Sequence, residues 1–145
     1  RRRGDDLAAH RGRHHDRMIS FELDLRPLRA SLRSLGRAVD DELERAVRAV
    51  SRDIRDEAKR SHAYTDRTGR LTRSIAAAPT SGRFSDGDLE GAVVATMPYA
   101  SYVEEGTTRA RAYQYLGTAW VLTRDASERR VQDALERAID RSGLR

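Results

Sequence analysis

Histidine, serine and carboxylate side chains are few enough in the interesting stretches of this sequence to be weighed individually for chemistry. His10, His14 and His15 stand close together, and His10 and His14, four apart, would share a helical face, a spacing that suits a metal ion. They sit among arginines with no carboxylate shell to orient an imidazole, so neither a metal nor any other cofactor is expected. Ser61, His62 and Asp66 combine the residue types of nucleophile, base and orienting acid. Ser61 lacks the Gly-x-Ser-x-Gly turn that would present its hydroxyl, and a loop histidine is the simpler reading. Glu104 and Glu105 are adjacent, point in different directions on any regular element, and so form no acid/base pair. Gly82 and Gly87 are too sparse for a phosphate-binding loop. With no acid, base and nucleophile converging, the expectation is a protein that is not an enzyme.

Composition narrows the remaining classes. The chain has 145 residues, enough for one domain with its own core, and no cysteine, which removes disulfides and thiolate metal sites. No apolar run approaches the roughly 18 residues of a membrane span, and the N-terminal stretch lacks the apolar segment of a signal peptide. A soluble protein made in the cytoplasm, with no membrane partner, is expected. The net charge of +5 suggests nucleic acid until it is placed along the chain. Residues 1–17 hold six arginines against Asp5, Asp6 and Asp16, so most of the excess lies there. Beyond that segment acids and bases interleave, as on a solvated face rather than a DNA-binding module. A small nucleic-acid-binding protein is the competing class, and it leaves the near-neutral body and the lack of clustered aromatics unexplained.

These side chains have to be positioned by a fold, and apolar spacing indicates which. Residues 1–17 carry too little apolar surface to fold alone and read as an arm, with Met18 opening a single domain over 18–145. From Pro27, Leu28, Leu32, Leu35, Val39, Leu43, Ala46, Val50, Ile54 and Ala58 recur at intervals of three and four, which predicts a long helix. Gly36 is a point where that helix could break. Ser61–Gly69 reads as a loop, Leu71–Ala78 as a strand ended by Pro79, and Thr80–Asp88 as a hairpin-like connection. Ala92–Thr96 reads as a second strand. Pro98, then Tyr99, Tyr102 and Val103, with Gly106 as the stop, predict a short helical turn. A final helix follows, its face formed by Ala112, Tyr115, Leu116, Ala119, Trp120 and Thr123 and continued by Val131, Leu135, Ala138 and Ile139, with a kink allowed at Gly117. The sum is an α+β fold in which a long N-terminal helix and a C-terminal helix pack on a small antiparallel sheet.

Three short patterns occur in order along this frame. They are Thr68-Gly69-Arg70-Leu71-Thr72-Arg73-Ser74-Ile75, then Pro98-Tyr99-Ala100-Ser101-Tyr102-Val103-Glu104-Glu105-Gly106-Thr107, then Tyr115-Leu116-Gly117-Thr118-Ala119. Together, over roughly Val39 to Ile139, the chain resembles a family of small tailed-phage tail components, the tail-completion or head–tail joining proteins. Their pattern is Thr-Gly-x-Leu-x-x-Ser-Ile, then Tyr-Ala-x-Tyr-Val-Glu-x-Gly-Thr, then Pro-Phe-Leu-x-x-Ala at a helix start. This chain departs at the third piece, where Gln114-Tyr115-Leu116 stands for Pro-Phe-Leu. A tyrosine fills the phenylalanine's place if its hydroxyl reaches a partner.

The resemblance implies a structural virion protein of the phage neck, made in the bacterial host cytoplasm. It would join or complete the tail as a homo-oligomeric ring of about six copies, a head-to-tail assembly closed by cyclic symmetry. Its partners would be neighbouring neck and tail-tube proteins, with genomic DNA passing nearby and no sequence-specific contact to it. Tyr99, Tyr102, Glu104, Glu105 and Thr107, in the most specific pattern, are the candidate subunit interface. In the arm, Arg1, Arg2, Arg3, Arg11 and Arg13 are the candidate contacts. An acidic patch on a neighbouring protein suits them better than DNA phosphates, because Asp5, Asp6 and Asp16 would repel the same backbone. Deleting residues 1–17 is expected to leave the melting temperature unchanged and to weaken joining of heads to tails. A deletion that instead lowers DNA affinity and flattens its salt dependence would assign the arm to DNA.

Overall fold

Helix α1 runs unbroken from Arg26 to Arg60, the longest element of a computed structural model that describes residues 26–143. The arginine-rich arm, its three histidines and the start at Met18 lie outside the described residues. Gly36 does not break α1. Its cost of about 1 kcal/mol relative to alanine is small against the helical turns that continue on both sides. The three-and-four spacing marks the inward face where α1 is covered: Leu43, Ala46 and Ala58 are buried, and Val39, Val50 and Ile54 half-buried. Toward the N-terminus Leu35 is half-buried and Leu32 is 54% exposed.

Residues Arg70–Ser74 form a short helix, α2, and strand β1 is confined to Ile75–Ala77. The expected strand over Leu71–Ala78 is therefore half helix, for two local reasons. Gly69 takes a left-handed turn at φ 68°, and the Asp66 carboxylate accepts the Thr72 N–H at 2.8 Å, capping a helical turn. Leu71 and Ile75 are four apart, so the same buried pair satisfies either periodicity. β1 pairs antiparallel with β2 (Val93–Ala95) in the register Ile75–Ala95, Ala76–Val94, Ala77–Val93. The connection between them is a hairpin extended by a Ser81–Glu90 bridge. It is tied to α1 where the Ser85 N–H and hydroxyl donate to Asp40 at 2.9 and 2.8 Å.

Helix α3 (Ala100–Glu105) is the short turn predicted after Pro98, and α4 (Tyr115–Ser142) is the last element. α4 passes Gly117 as one helix and lies antiparallel along α1. Arg130 meets Asp53 at 2.8 Å, while Arg137 and Arg141 both reach Glu42 further toward the start of α1. The fold is thus α+β, with two long helices and a small antiparallel sheet. Its main core gathers Ala58, Tyr64, Leu71, Ile75, Ala100, Tyr115 and Ala119, and a second cluster joins Leu43 and Ala46 to Ala134.

The two helices meet through small side chains. α4 buries Ala119, Ser127, Ala134 and Ala138, and Ala46 of α1 packs with Leu43 on Ala134, while Ser51 faces Gly91 of the hairpin. Short side chains bring helix axes close and make the contact strip narrow. The apolar face expected for α4 is consequently only partly covered: Tyr115, Ala119 and Ala138 are buried, but Trp120 is 45% and Leu135 42% exposed. Glu42 is buried beside this seam and held by Arg45 at 3.1 Å and by Arg137 and Arg141 from α4. Three guanidinium groups offset the desolvation of one carboxylate and fix the helix register.

The seam yields a direct test. Ala138→Leu keeps helix propensity but forces four-carbon bulk into a fully buried position, and should cost about 1–3 kcal/mol in urea unfolding. Leu135→Ala, one turn face away and exposed, should change stability by no more than about 0.5 kcal/mol. Equal effects of the two would show that the seam is not where the helices meet.

Candidate functional site

The segment Tyr99–Thr107 was expected to carry an interface, and its geometry divides it in two. One half builds a corner. Gly106 sits at φ 81°, and a Cβ there would lie 2.6 Å from the Ala112 nitrogen and 2.9 Å from the Ala110 oxygen. Only glycine fits both that conformation and that approach. The Thr107 hydroxyl accepts the N–H groups of Arg109 and Ala110 at 3.2 and 3.0 Å, which closes the next turn. Val103 packs on the main core, and its carbonyl accepts the Tyr113 N–H at 2.9 Å.

Glu104 is the centre of that corner. Its carboxylate accepts the N–H of Leu116 at 2.9 Å and of Gly117 at 3.0 Å, and its carbonyl accepts the Gln114 N–H at 3.1 Å. A negative group on free N–H donors at the positive end of a helix is a cap supplied from a distance. α4 needs one because Gln114, immediately before it, makes no side-chain cap and stands in a left-handed conformation, φ 47°. Proline is locked near φ −65° and could not adopt that backbone. The replacement of proline by Gln114 therefore goes with a different entry into α4.

The other half of the motif faces outward. Tyr99 is 40% and Tyr102 62% exposed, and Glu105 and Thr107 are exposed as well. Tyr99 and Val103 form one wall of an open groove of about 380 Å³, completed by Arg67, Thr68, Leu71 and Tyr113. Arg111 lies over the Tyr113 ring at 4.7 Å. Thus Tyr99, Tyr102 and Glu105 are exposed, whereas Glu104 is engaged within the chain.

Behind the groove lies an aromatic cluster that sequence reading did not assemble. His62 stacks on Tyr64 at 4.0 Å, and Tyr64 meets Tyr115 edge-on at 5.2 Å and Tyr113 at 6.3 Å. These four residues come from a loop and from the entry of α4, far apart in sequence, and no periodicity links them. Tyr115 is buried, and its hydroxyl has no hydrogen-bond partner among the described residues. The expectation that this hydroxyl reaches a partner is not met, because the site is shaped for the ring alone. Burial, with the Glu104 charge nearby, pushes the Tyr115 phenol up to about 12. Such a group stays protonated and is a poor acid or nucleophile.

Ser61, His62 and Asp66 are near one another but do not form a relay. The Ser61 hydroxyl donates to Glu57, not to His62. His62 has its Nδ1 3.1 Å from the Tyr64 carbonyl and its Nε2 3.5 Å from the Thr72 hydroxyl. Asp66 is occupied by the Thr72 N–H, whose hydrogen bond holds its carboxyl below the usual range. Among the described residues, no group of three or more histidines and carboxylates converges in a way that could hold a metal ion. What the arrangement offers is a rigid corner presenting aromatic side chains.

Comparison with known protein families gives a match to a phage family. The family model described as "Bacteriophage HK97-gp10, putative tail-component" matches residues 27–106, more than half of the chain. The match begins at the start of α1, before Val39, and ends at Gly106, short of the third pattern at Tyr115–Ala119. No curated protein and no solved structure matches the chain.

Two substitutions separate the roles at the corner. Glu104→Ala leaves two helix-end donors unpaired and should cost about 1–2 kcal/mol of stability in thermal or urea unfolding. Tyr115→Phe removes a buried hydroxyl without a partner and should be neutral or stabilising by up to about 1 kcal/mol. A loss of stability in Tyr115→Phe comparable to that in Glu104→Ala would mean that the hydroxyl is hydrogen-bonded after all.

Proposed function

Because the chain belongs to the HK97 gp10-like family of bacteriophage tail components, we propose that it is a structural subunit of the phage neck that closes into a ring at the head–tail interface. The ring joins or completes the tail, holds about six copies in keeping with cyclic closure, and works by shape rather than by turnover. It sits against neighbouring neck and tail-tube proteins, with the genome passing through without sequence-specific contacts. Synthesis in the host cytoplasm and incorporation into the virion follow from that role. No helix among the described residues is long and apolar enough to cross a membrane.

The observation that carries this reading is apolar surface left bare on two separate elements of one small domain. Tyr99, just before α3, and Tyr102 within it are exposed, as are Trp120, Val131, Leu135 and Ile139 on α4. Contiguous exposed apolar side chains mark contact surfaces. A head-to-tail ring requires each subunit to present two different faces, one for each neighbour. The Tyr99, Tyr102, Glu105 and Thr107 surface is one of these faces in this proposal, and the arm arginines Arg1, Arg2, Arg3, Arg11 and Arg13 contact an adjoining neck protein.

Native mass spectrometry of the full chain, alone and after incubation with tail tubes, tests the proposal. A closed oligomer in either condition is the expected result, and a monomer in both contradicts it. Tyr102→Ala should leave the melting temperature within about 1 °C, consistent with a surface change, while reducing that oligomer. Unfolding of Tyr102→Ala with no separable assembly defect would assign the side chain to the core.

A further inference from the structure

Phe84 joins neither core cluster and is 55% exposed, at the tip of the hairpin between β1 and β2. The tip itself is closely tied. Gly82 and Gly87 take left-handed turns at φ 71° and 79°, and a Cβ on Gly82 would lie 2.1 Å from the Asp88 carbonyl oxygen. The Arg83 N–H donates to the Asp88 carboxylate at 2.8 Å, and the Asp88 N–H to the Arg83 carbonyl at 3.2 Å. Ser85 fastens the turn to Asp40 of α1. A large apolar ring is thus presented on a fixed turn, which keeps the ordering cost of covering it low.

The groove beside Tyr99 lies at the other end of α1. Its walls include Tyr64, which follows closely on the end of α1 at Arg60, with Leu71, Tyr99, Val103 and Tyr113. Asp40, where the hairpin tip is fastened, lies about 30 Å from Arg60 along the axis of the same unbroken helix. Phe84 therefore stands far from the groove of its own chain. The groove of about 380 Å³ exceeds the roughly 150 Å³ that suffices for a benzene ring. Its tyrosine rings suit another aromatic side chain, edge to face or offset.

The two places carry charge of opposite sign. The loops that build the groove, residues 62–70 and 105–114, hold Arg67, Arg70, Arg109 and Arg111 against Asp66 and Glu105, a net of +2. The Asp66 carboxylate is already bonded to the Thr72 N–H, and Arg111 lies over the Tyr113 ring. The hairpin tip, residues 80–91, holds Asp86, Asp88 and Glu90 against Arg83, a net of −2. Among the described residues none of these charged side chains is in an ion pair within its own chain.

We infer that Phe84 of one copy inserts into the Tyr99 groove of the next copy of the same chain, with the acidic hairpin tip against the arginines around the groove. Tip and groove are different surfaces toward the two ends of α1, so the contact is heterologous. Each copy gives one tip and one groove, and the contacts run on until a ring closes. Like charges disfavour tip on tip and groove on groove, which orients the encounter. This inference rests on the ring proposed above and names the element that meets its Tyr99 face.

The absence of cysteine from the chain makes the contact directly readable. Arg83, next to Phe84, and Thr65, on the groove wall, are both exposed. Full-length Arg83→Cys and Thr65→Cys proteins are prepared separately, mixed under assembly conditions with tail tubes, and oxidised. Disulfide-linked dimers that require both variants in the mixture are the expected result. Adding Phe84→Ala to Arg83→Cys should lower their yield about tenfold or more, the loss of a buried aromatic anchor. The melting temperature should move by no more than about 2 °C, as for a side chain outside the core. A ring that forms in the parent without the mixed disulfide, or with one that survives Phe84→Ala, overturns this contact and leaves the ring reading intact. A Thr65→Cys thiol that tail tubes shield from alkylation when every subunit carries Phe84→Ala assigns the groove to the tube and also overturns it. A parent chain that never assembles overturns the ring reading and this inference with it.

Discussion

Everything in this fold depends on the seam where α1 and α4 meet, built on the α4 side from alanine and serine. Ala46 on one side and Ala119, Ser127, Ala134 and Ala138 on the other are buried, with Leu43 packed beside Ala46 and Ala134. Close approach gives each short side chain full contact, but it covers only a strip of either helix. Glu42, held by arginines from both helices, sets how far along one another they lie. The consequence is a small domain whose own core uses less than its available apolar surface. Trp120, Val131, Leu135 and Ile139 are left outside for this reason, and Leu32 near the start of α1 is exposed as well.

The corner at α3 solves a different problem, that of starting α4 without a capping residue of its own. Glu104 reaches two of the first N–H groups of α4, Gly106 permits the chain to turn against Ala110 and Ala112, and Thr107 closes the turn. A motif that reads as one functional unit is thus two interleaved sets. The residues that build the corner also aim Tyr99 and Tyr102 outward, so the rigidity of the presentation and the surface presented come from the same short segment.

Much of the frame was legible in the sequence, for reasons that are local. The three-and-four spacing of Leu28 to Ala58 marks α1, and Pro98 with Gly106 brackets α3, because periodicity and chain punctuation are written in consecutive residues. The strand expected at Leu71 was half helix because Leu71 and Ile75 fit both periods and the deciding contact, Asp66 to Thr72, spans six residues. Other features had no local signal. The capping role of Glu104 depends on residues twelve and thirteen positions later, and the burial of Glu42 on arginines almost a hundred positions away. Likewise, the pattern of α4 reveals an apolar face but not that its partner would cover only part of it.

The account is tested most directly by locating the chain in assembled particles by electron cryomicroscopy of tails carrying this protein. It predicts a closed ring on the tail axis at the end nearest the head, with the α4 stripe from Trp120 to Ile139 covered by a neighbour. Density for the chain as isolated monomers, or a ring in which the α4 stripe from Trp120 to Ile139 faces solvent, would contradict it.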